Sequence, residues 1–160
     1  MLGAAIVHPE RCEVIPLMPE SIIKQDGESK NDCERSAAKR LVAKLREDHA
    51  HLPLIVIEDG LSSNAAHIRE LQKHNLHFIL GVKAGDHAYL FDQVAQAKEE
   101  GRSVHFESVK GKVSHRFHFV NQVPLNASNP DLLVNFLEYW EIWPAGEQYF
   151  SWITDFTLTC

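Results

Sequence analysis

The feature of this chain that most constrains its fold is a short apolar run that ends on acidic residues. No polar side chain interrupts Leu54–Ile57, and Glu58, Asp59 and Gly60 follow it directly. Four consecutive aliphatic residues are typical of a strand covered on both faces, as in the sheets of α/β proteins. Such sheets carry their chemistry beyond the carboxyl ends of the strands. We therefore expect Asp59 to project into a functional crevice, where its carboxylate is suited to bind a hard divalent cation.

The length and composition of the chain are those of a small globular protein. It has 160 residues, of which 44% are hydrophobic, so it can bury a core and is far from a disordered composition. No apolar run approaches the ~20 residues of a membrane span, and the apolar start lacks the basic segment of a signal peptide. The three scattered cysteines fit a reducing compartment. We therefore expect a cytoplasmic protein that does not associate with membranes.

The first hundred residues alternate between strand and helix patterns. Two short apolar runs predict a hairpin, and Asn31 with Glu34 has the spacing of a capping box at the start of a helix. Gly101 is placed to end the last helix of this region. The predicted strands are 2–7, 12–17, 54–57 and 77–82, and the predicted helices are 31–48, 64–74 and 86–100.

The pattern changes to alternating apolar and polar residues after Gly101. Turn residues at 110–112 and 144–146 divide this region into two predicted antiparallel hairpins. All three tryptophans, Trp140, Trp143 and Trp152, lie in it. An exposed cluster of these rings would favour binding to a partner, because aromatic side chains are enriched at interface hot spots.

Four segments, in this order, resemble the catalytic core of a DDE-type transposase from a bacterial insertion sequence. The segments are Gln25–Gly27, Asn31–Arg35, Ile57–Ala65 and Ile79–His87. The resemblance extends from Leu2 to about Asp155. It implies a ribonuclease-H-like sheet on which three acidic residues bind two metal ions, Mg²⁺ or Mn²⁺. The implied activity is DNA cleavage and strand transfer at transposon ends during DNA transposition.

The same resemblance implies that the chain is an internal or truncated fragment of this mobile-element enzyme. Asp59 matches the second acidic residue and is the one candidate catalytic and metal-binding residue, whereas the first would precede Met1 and the third would follow Cys160. Residues 1–100 would form a partial core without its central first strand, residues 101–155 a β-rich insertion in the same domain, and residues 156–160 an aberrant end. We therefore expect a catalytically incomplete chain that self-associates through open strand edges and binds no metal tightly.

Several alternatives remain at this point. A strand-end Asp such as Asp59 commonly caps the turn that follows it. The ten histidines lack the spacing of a zinc site and are interpreted as surface residues, and Cys33 is interpreted as buried and structural. A net charge of −6 predicts weak DNA binding or none. The chain could instead be a non-catalytic α/β protein that binds a partner through its aromatic β-region or, more weakly supported, a self-sufficient metal-dependent hydrolase.

Overall fold

The structure, a computed structural model, describes residues 1–24 and 28–160, apart from the side chains of residues 30–32. In these ranges the chain is an α/β protein with three helices, a two-strand hairpin and a six-strand mixed sheet. The motif segment Gln25–Gly27 and the predicted capping side chain of Asn31 lie outside the described residues. The elements are β1 (Ala5–Ile6), β2 (Ile15–Pro16), α1 (Lys30–Asp48), β3 (Ile55–Glu58), α2 (Ala65–Lys73), β4 (His77–Gly81), α3 (Ala88–Glu99), β5 (Val104–Lys110), β6 (Val113–Asn126), β7 (Asn129–Trp143) and β8 (Gly146–Thr154).

The chain divides into two compact units, Met1–Pro53 and Leu54–Cys160, and the first contains the hairpin and α1. β1 and β2 pair antiparallel, as predicted, although both are shorter than expected. The Arg40 side chain of α1 donates to a carboxylate oxygen of Glu20 and to the carbonyl of Ser21, both at 2.7 Å. Arg46, in the last turn of α1, donates to the carbonyls of His49, Ala50 and Leu52. These bonds attach the middle and the last turn of α1 to the segments that precede and follow the helix.

The second unit is built on one sheet with the strand order β3-β4-β8-β7-β6-β5. β3 and β4 are parallel, and the remaining neighbours are antiparallel. Strands before and after residue 100 therefore share a single sheet, joined where β4 pairs with β8. Both hairpins predicted after Gly101 are confirmed, while the turn between β6 and β7 was not predicted.

Both helices of the second unit cover the same face of this sheet. Glu58 of β3 bonds His67 of α2, while Phe91 of α3 packs edge-on against Phe136 of β7 with ring centroids 5.2 Å apart. The pairing register connects these positions across the sheet, from Glu58 through Leu80 and Ile153 to Phe136. Leu80, Ile153 and Phe136 are fully buried. The core of the second unit therefore lies between this face and α2 with α3.

The other face of the sheet carries a row of aromatic rings. Phe106, Phe117, Tyr139 and Phe150 are consecutive partners across β5, β6, β7 and β8. Their ring centroids are 4.6, 4.9 and 6.2 Å apart, and Trp152 extends the row from Phe150 at 5.6 Å. Phe106 and Phe150 are 40% and 38% exposed. We call these five residues the aromatic row.

The prediction that Leu54–Ile57 is covered on both faces is wrong. The strand forms at Ile55–Glu58, but it is an edge strand, and among the described residues it pairs with β4 alone. Side chains alternate between the faces of a strand. Val56 and Glu58 therefore point to the helices, whereas Ile55 and Ile57 point away from them and are 49% and 65% exposed. An unbroken apolar run indicated a strand but did not reveal which of its faces would be covered.

The helices after β3 agree with their predicted positions. The side chain of Asn64 accepts a hydrogen bond from the His67 amide at 3.1 Å, which caps α2. Gly101 follows α3 with a φ of 70°, in the left-handed region that glycine adopts without strain, and so ends that helix as predicted. None of the helices in the described ranges is both long and apolar enough to cross a membrane.

We expect the open edge of β3 to cause self-association, because an unpaired apolar strand edge is a template for pairing with another chain. Ile57→Lys places a charge on this edge and should lower the fraction of oligomer. Sedimentation velocity over a range of protein concentrations measures this. Val109→Lys is the matched control, since it alters an exposed valine on β5 at the opposite edge of the sheet. Equal association of the two variants would contradict pairing through β3.

Candidate functional site

Asp59 lies directly after β3 at its carboxyl end, and its side chain is exposed. One carboxylate oxygen, Oδ1, accepts a hydrogen bond from the Leu61 amide at 3.1 Å. The backbone amide of Ser62 donates to the Asp59 carbonyl at 3.2 Å, which closes the turn. Asp59 therefore organises the turn after the strand, as the structural alternative predicted, and its carboxylate still faces solvent.

The carboxyl ends of β3 and β4 approach each other closely at two glycines. A Cβ atom on Gly81 would lie 3.6 Å from the Cα of Asp59, and one on Gly60 would lie 3.5 Å from the Gly81 carbonyl oxygen. These are ordinary contact distances, so larger side chains would extend from them into the space between the strand ends. Together the glycines leave the region beside Asp59 uncrowded.

The loops that follow β3 and β4 are joined by Ser63 and His87. Nε2 of His87 donates to the Ser63 carbonyl at 2.8 Å and lies 3.1 Å from Ser63 Oγ. Ser63 is buried, and its hydroxyl donates to the Gly60 carbonyl at 2.8 Å. Because that hydroxyl is buried and already donates, the pair holds the two loops together and is poorly placed to act as a nucleophile and its base.

Glu58 and His67 form a second link beside Asp59. Oε2 of Glu58 is hydrogen-bonded to Nε2 of His67, a buried residue of α2. This bond gives Glu58 a structural role on the helix-covered face of the sheet. The link attaches α2 to the end of β3 and so fixes the starting point of the loop that carries Asp59.

The described residues do not form a complete metal site. Within residues 1–24 and 28–160, no group of three or more His, Cys, Asp or Glu side chains is arranged to hold a metal ion. The candidate ligand for the implied Mg²⁺ is the solvent-facing carboxylate of Asp59. One of its two oxygens already accepts a hydrogen bond from the Leu61 amide. A single carboxylate leaves most of the coordination sphere of Mg²⁺ to water. The residues in these ranges do not fit a tightly held ion.

The interpretation of the histidines as surface residues is wrong for two of them. His67 and His118 are buried, and each is hydrogen-bonded to a glutamate, Glu58 and Glu138 respectively. Cys33 is buried, as predicted. The sequence gives no direct signal for either histidine pair, because His118 and Glu138 are twenty residues apart and meet only through strand pairing.

Two arginine side chains that could otherwise contact phosphate groups are bonded to carboxylates of the protein itself. Arg40 forms an ion pair with Glu20 at 2.7 Å, and Arg116 forms one with Glu107 at 2.9 Å. Lys110 and Lys112 are exposed at the turn between β5 and β6. The pairing of both arginines with carboxylates leaves less positive charge for nucleic acid than the sequence alone suggests.

Comparison with protein families and with curated proteins does not assign the chain to a family. No protein-family model matches the chain, and no curated protein sequence matches it.

We expect His87→Ala to lower the free energy of unfolding by about 1–2 kcal/mol. The substitution removes the donor to the Ser63 carbonyl and separates the loops after β3 and β4. Urea denaturation followed by tryptophan fluorescence measures the change. His51→Ala, which alters an exposed histidine, is the control and should stay within about 0.5 kcal/mol of the original protein. Equal effects of the two substitutions would contradict a joining role for His87.

Proposed function

We propose that this chain is part of a DDE-type transposase, whose activity is metal-dependent cleavage and strand transfer of DNA. The proposal rests on four motif segments that occur in the order of that family. The single structural observation that supports it is the position of Asp59, exposed at the carboxyl end of β3 beside a parallel strand. Carboxylates at this end of a parallel pair are where α/β enzymes commonly bind ligands.

The residues around Asp59 support a positioning role for this end of the sheet. Glu58 bonded to His67 and Ser63 bonded to His87 hold the loops on both sides of the acidic residue. A loop that is already fixed does not have to become ordered each time a ligand binds. This lowers the entropic cost of binding. Asp59 would contribute one carboxylate to a metal site whose other ligands come from elsewhere in the parent enzyme.

The isolated chain is proposed to be inactive on DNA. In the family that it resembles, three acidic residues bind the ions, and Asp59 matches one of them. A net charge of −6 also opposes contact with the phosphate backbone. The parent enzyme would act on the DNA of transposon ends, whereas this chain by itself would bind DNA weakly, without sequence preference and in a salt-sensitive manner.

We expect the purified chain to leave supercoiled plasmid and transposon-end duplex DNA uncut in the presence of Mg²⁺ or Mn²⁺. Agarose-gel electrophoresis detects nicked plasmid, and fluorescence anisotropy measures binding in the same buffer. Asp59→Asn is the matched variant, because it removes the charge and keeps an acceptor oxygen for the Leu61 amide. Nicking by the original protein that is lost in Asp59→Asn would overturn the proposed inactivity.

A second candidate function, binding to a partner through the aromatic β-region, is favoured by the aromatic row. The exposed tryptophan cluster that would favour this function is not what supports it: Trp140, Trp143 and Trp152 are all half-buried, and Trp140 contacts Tyr149 on the helix-covered face. The row on the other face instead presents five rings across four strands, two of them more than one third exposed. Contiguous exposed aromatic surface is a property of protein interaction sites.

We expect the double variant Phe106→Ser, Phe150→Ser to lose binding of the apolar dye ANS while its free energy of unfolding falls by less than about 1 kcal/mol. A row reserved for a partner contributes little to the free protein, whereas a row that stabilises the sheet contributes about 0.5–1.5 kcal/mol for each ring pair. Val109→Ser, on the opposite face, is the control. A loss of more than about 2 kcal/mol, or no ANS binding by the original protein, would contradict this second candidate.

A further inference from the structure

A buried glutamate on the helix-covered face joins three strands to the end of α3. Glu138 of β7 is 6% exposed and accepts hydrogen bonds from three side chains. Lys98 in the last turn of α3 donates to its Oε2 at 2.9 Å, and His118 of β6 donates to the same oxygen through Nδ1 at 2.8 Å. Tyr149 of β8 donates to Oε1 at 2.8 Å. One carboxylate oxygen is thus shared by a lysine and a histidine.

His118 itself is 7% exposed, and its second ring nitrogen is not satisfied. Nε2 is buried and has no hydrogen-bond partner among the described residues. Because Nδ1 donates to Glu138, the Nε2 atom of the neutral ring is an acceptor without a hydrogen bond. Protonation would turn it into a buried N–H donor without a hydrogen bond on a charged ring, which costs much more free energy.

The surroundings of His118, taken together, also oppose its protonation. Burial is the largest influence and lowers the pKa of the His118 imidazole below its ordinary value of 6.5. The hydrogen bond and the charge of Glu138 raise this pKa, whereas the charges of Lys98 and His105 lower it, and the net shift is downward. The other charged groups on this face of β5 and β6 are Glu107 and Arg116, which pair with each other. His118 is therefore neutral at pH 7.

Glu138 and its partner Tyr149 keep their charge states between pH 5 and 7. Burial raises the pKa of Glu138, but the hydrogen bonds from Lys98 and Tyr149 outweigh it and hold that pKa below 4.5. Burial, with the hydrogen bond to Glu138, raises the pKa of Tyr149 to about 12. Both shifts point away from the range between pH 5 and 7, so of Glu138, Tyr149 and His118 it is His118 that takes up a proton as the pH falls.

We propose that Lys98, Glu138 and His118 form an acid-sensitive latch that holds the last turn of α3 on the sheet. At neutral pH, Glu138 has a single cationic partner, Lys98. When His118 becomes an imidazolium, it replaces Lys98 as the cation paired with Glu138. The Lys98 side chain, which is already 42% exposed, then moves into water. The last turn of α3 then opens and lets water reach Nε2 of His118.

The direction in which pH changes the strength of the latch follows from the pKa of His118 in the open and the latched states. In the open state His118 has its ordinary pKa near 6.5, and in the latched state its pKa is lower. Well above pH 6.5 His118 is unprotonated in both states, so the latch is at full strength. As pH falls from 6.5 towards the latched pKa, the open state takes up the proton first and the latch weakens, by up to about tenfold in equilibrium constant for each pH unit.

Amide hydrogen exchange of the intact chain at pH 7.0 and pH 5.5, corrected for intrinsic exchange rates, tests the latch. Protection at the end of α3 should fall several-fold at pH 5.5, while protection in α2 should change much less. The NMR titration of His118 should give a pKa below 6.5. Equal protection of the end of α3 at both pH values, or a His118 pKa of 6.5 or above, would overturn the proposal.

Three variants separate the latch from a general loss of stability in acid. His118→Asn keeps a donor near the position of Nδ1 but cannot be protonated, so the end of α3 should remain protected at pH 5.5. Lys98→Met should leave the same turn poorly protected at both pH values. His105→Asn, on the facing position of β5, is the matched control and should retain the acid response. An undiminished acid response in His118→Asn would also overturn the proposal.

Discussion

The pairing of β4 with both β3 and β8 is the constraint on which the second unit depends. β4 receives β3 as a parallel neighbour and β8 as an antiparallel one, so it connects the helical part of this unit to its long hairpins. The β4–β8 ladder has only three residue pairs, but side chains extend it. The hydroxyls of Thr154 and Ser151 donate to carbonyls of Phe78 and Val82, at 2.7 and 2.8 Å, and Asp155 accepts from the Phe78 amide. These bonds satisfy buried backbone groups at the junction.

The two faces of this sheet differ in how much of their surface is covered, and each face suits a different kind of function. One face is covered by α2 and α3 and contains the Glu138 cluster, where hydrogen bonds from three elements meet in a buried setting. The other carries the aromatic row together with Ile55 and Ile57, whose side chains are partly exposed. Apolar area left in water contributes no stabilisation to the free chain, so surface of this kind is available to a partner or a second copy.

The candidate catalytic end illustrates how one side chain can serve two roles. The Asp59 carboxylate organises the turn after β3 through the Leu61 amide, and the same turn directs it to solvent. A structural hydrogen bond of this kind does not exclude ligand binding, because an ionised carboxylate has about four acceptor sites. The pairs around it, Glu58 with His67 and Ser63 with His87, hold the segments on both sides of this turn.

The amino-acid sequence alone determined the local elements, and the tertiary structure decided their surroundings. Capping by Asn64, the glycine stop at Gly101 and the alternation in residues 103–119 act within a few residues of chain, so α2, the end of α3 and the first long hairpin could be predicted. The exposure of Ile57 could not be predicted, because an edge strand and a central strand have the same apolar run. The bond between His118 and Glu138 could not be predicted either. Strand register brings these two side chains together, and that register is set by packing and by turns far along the chain.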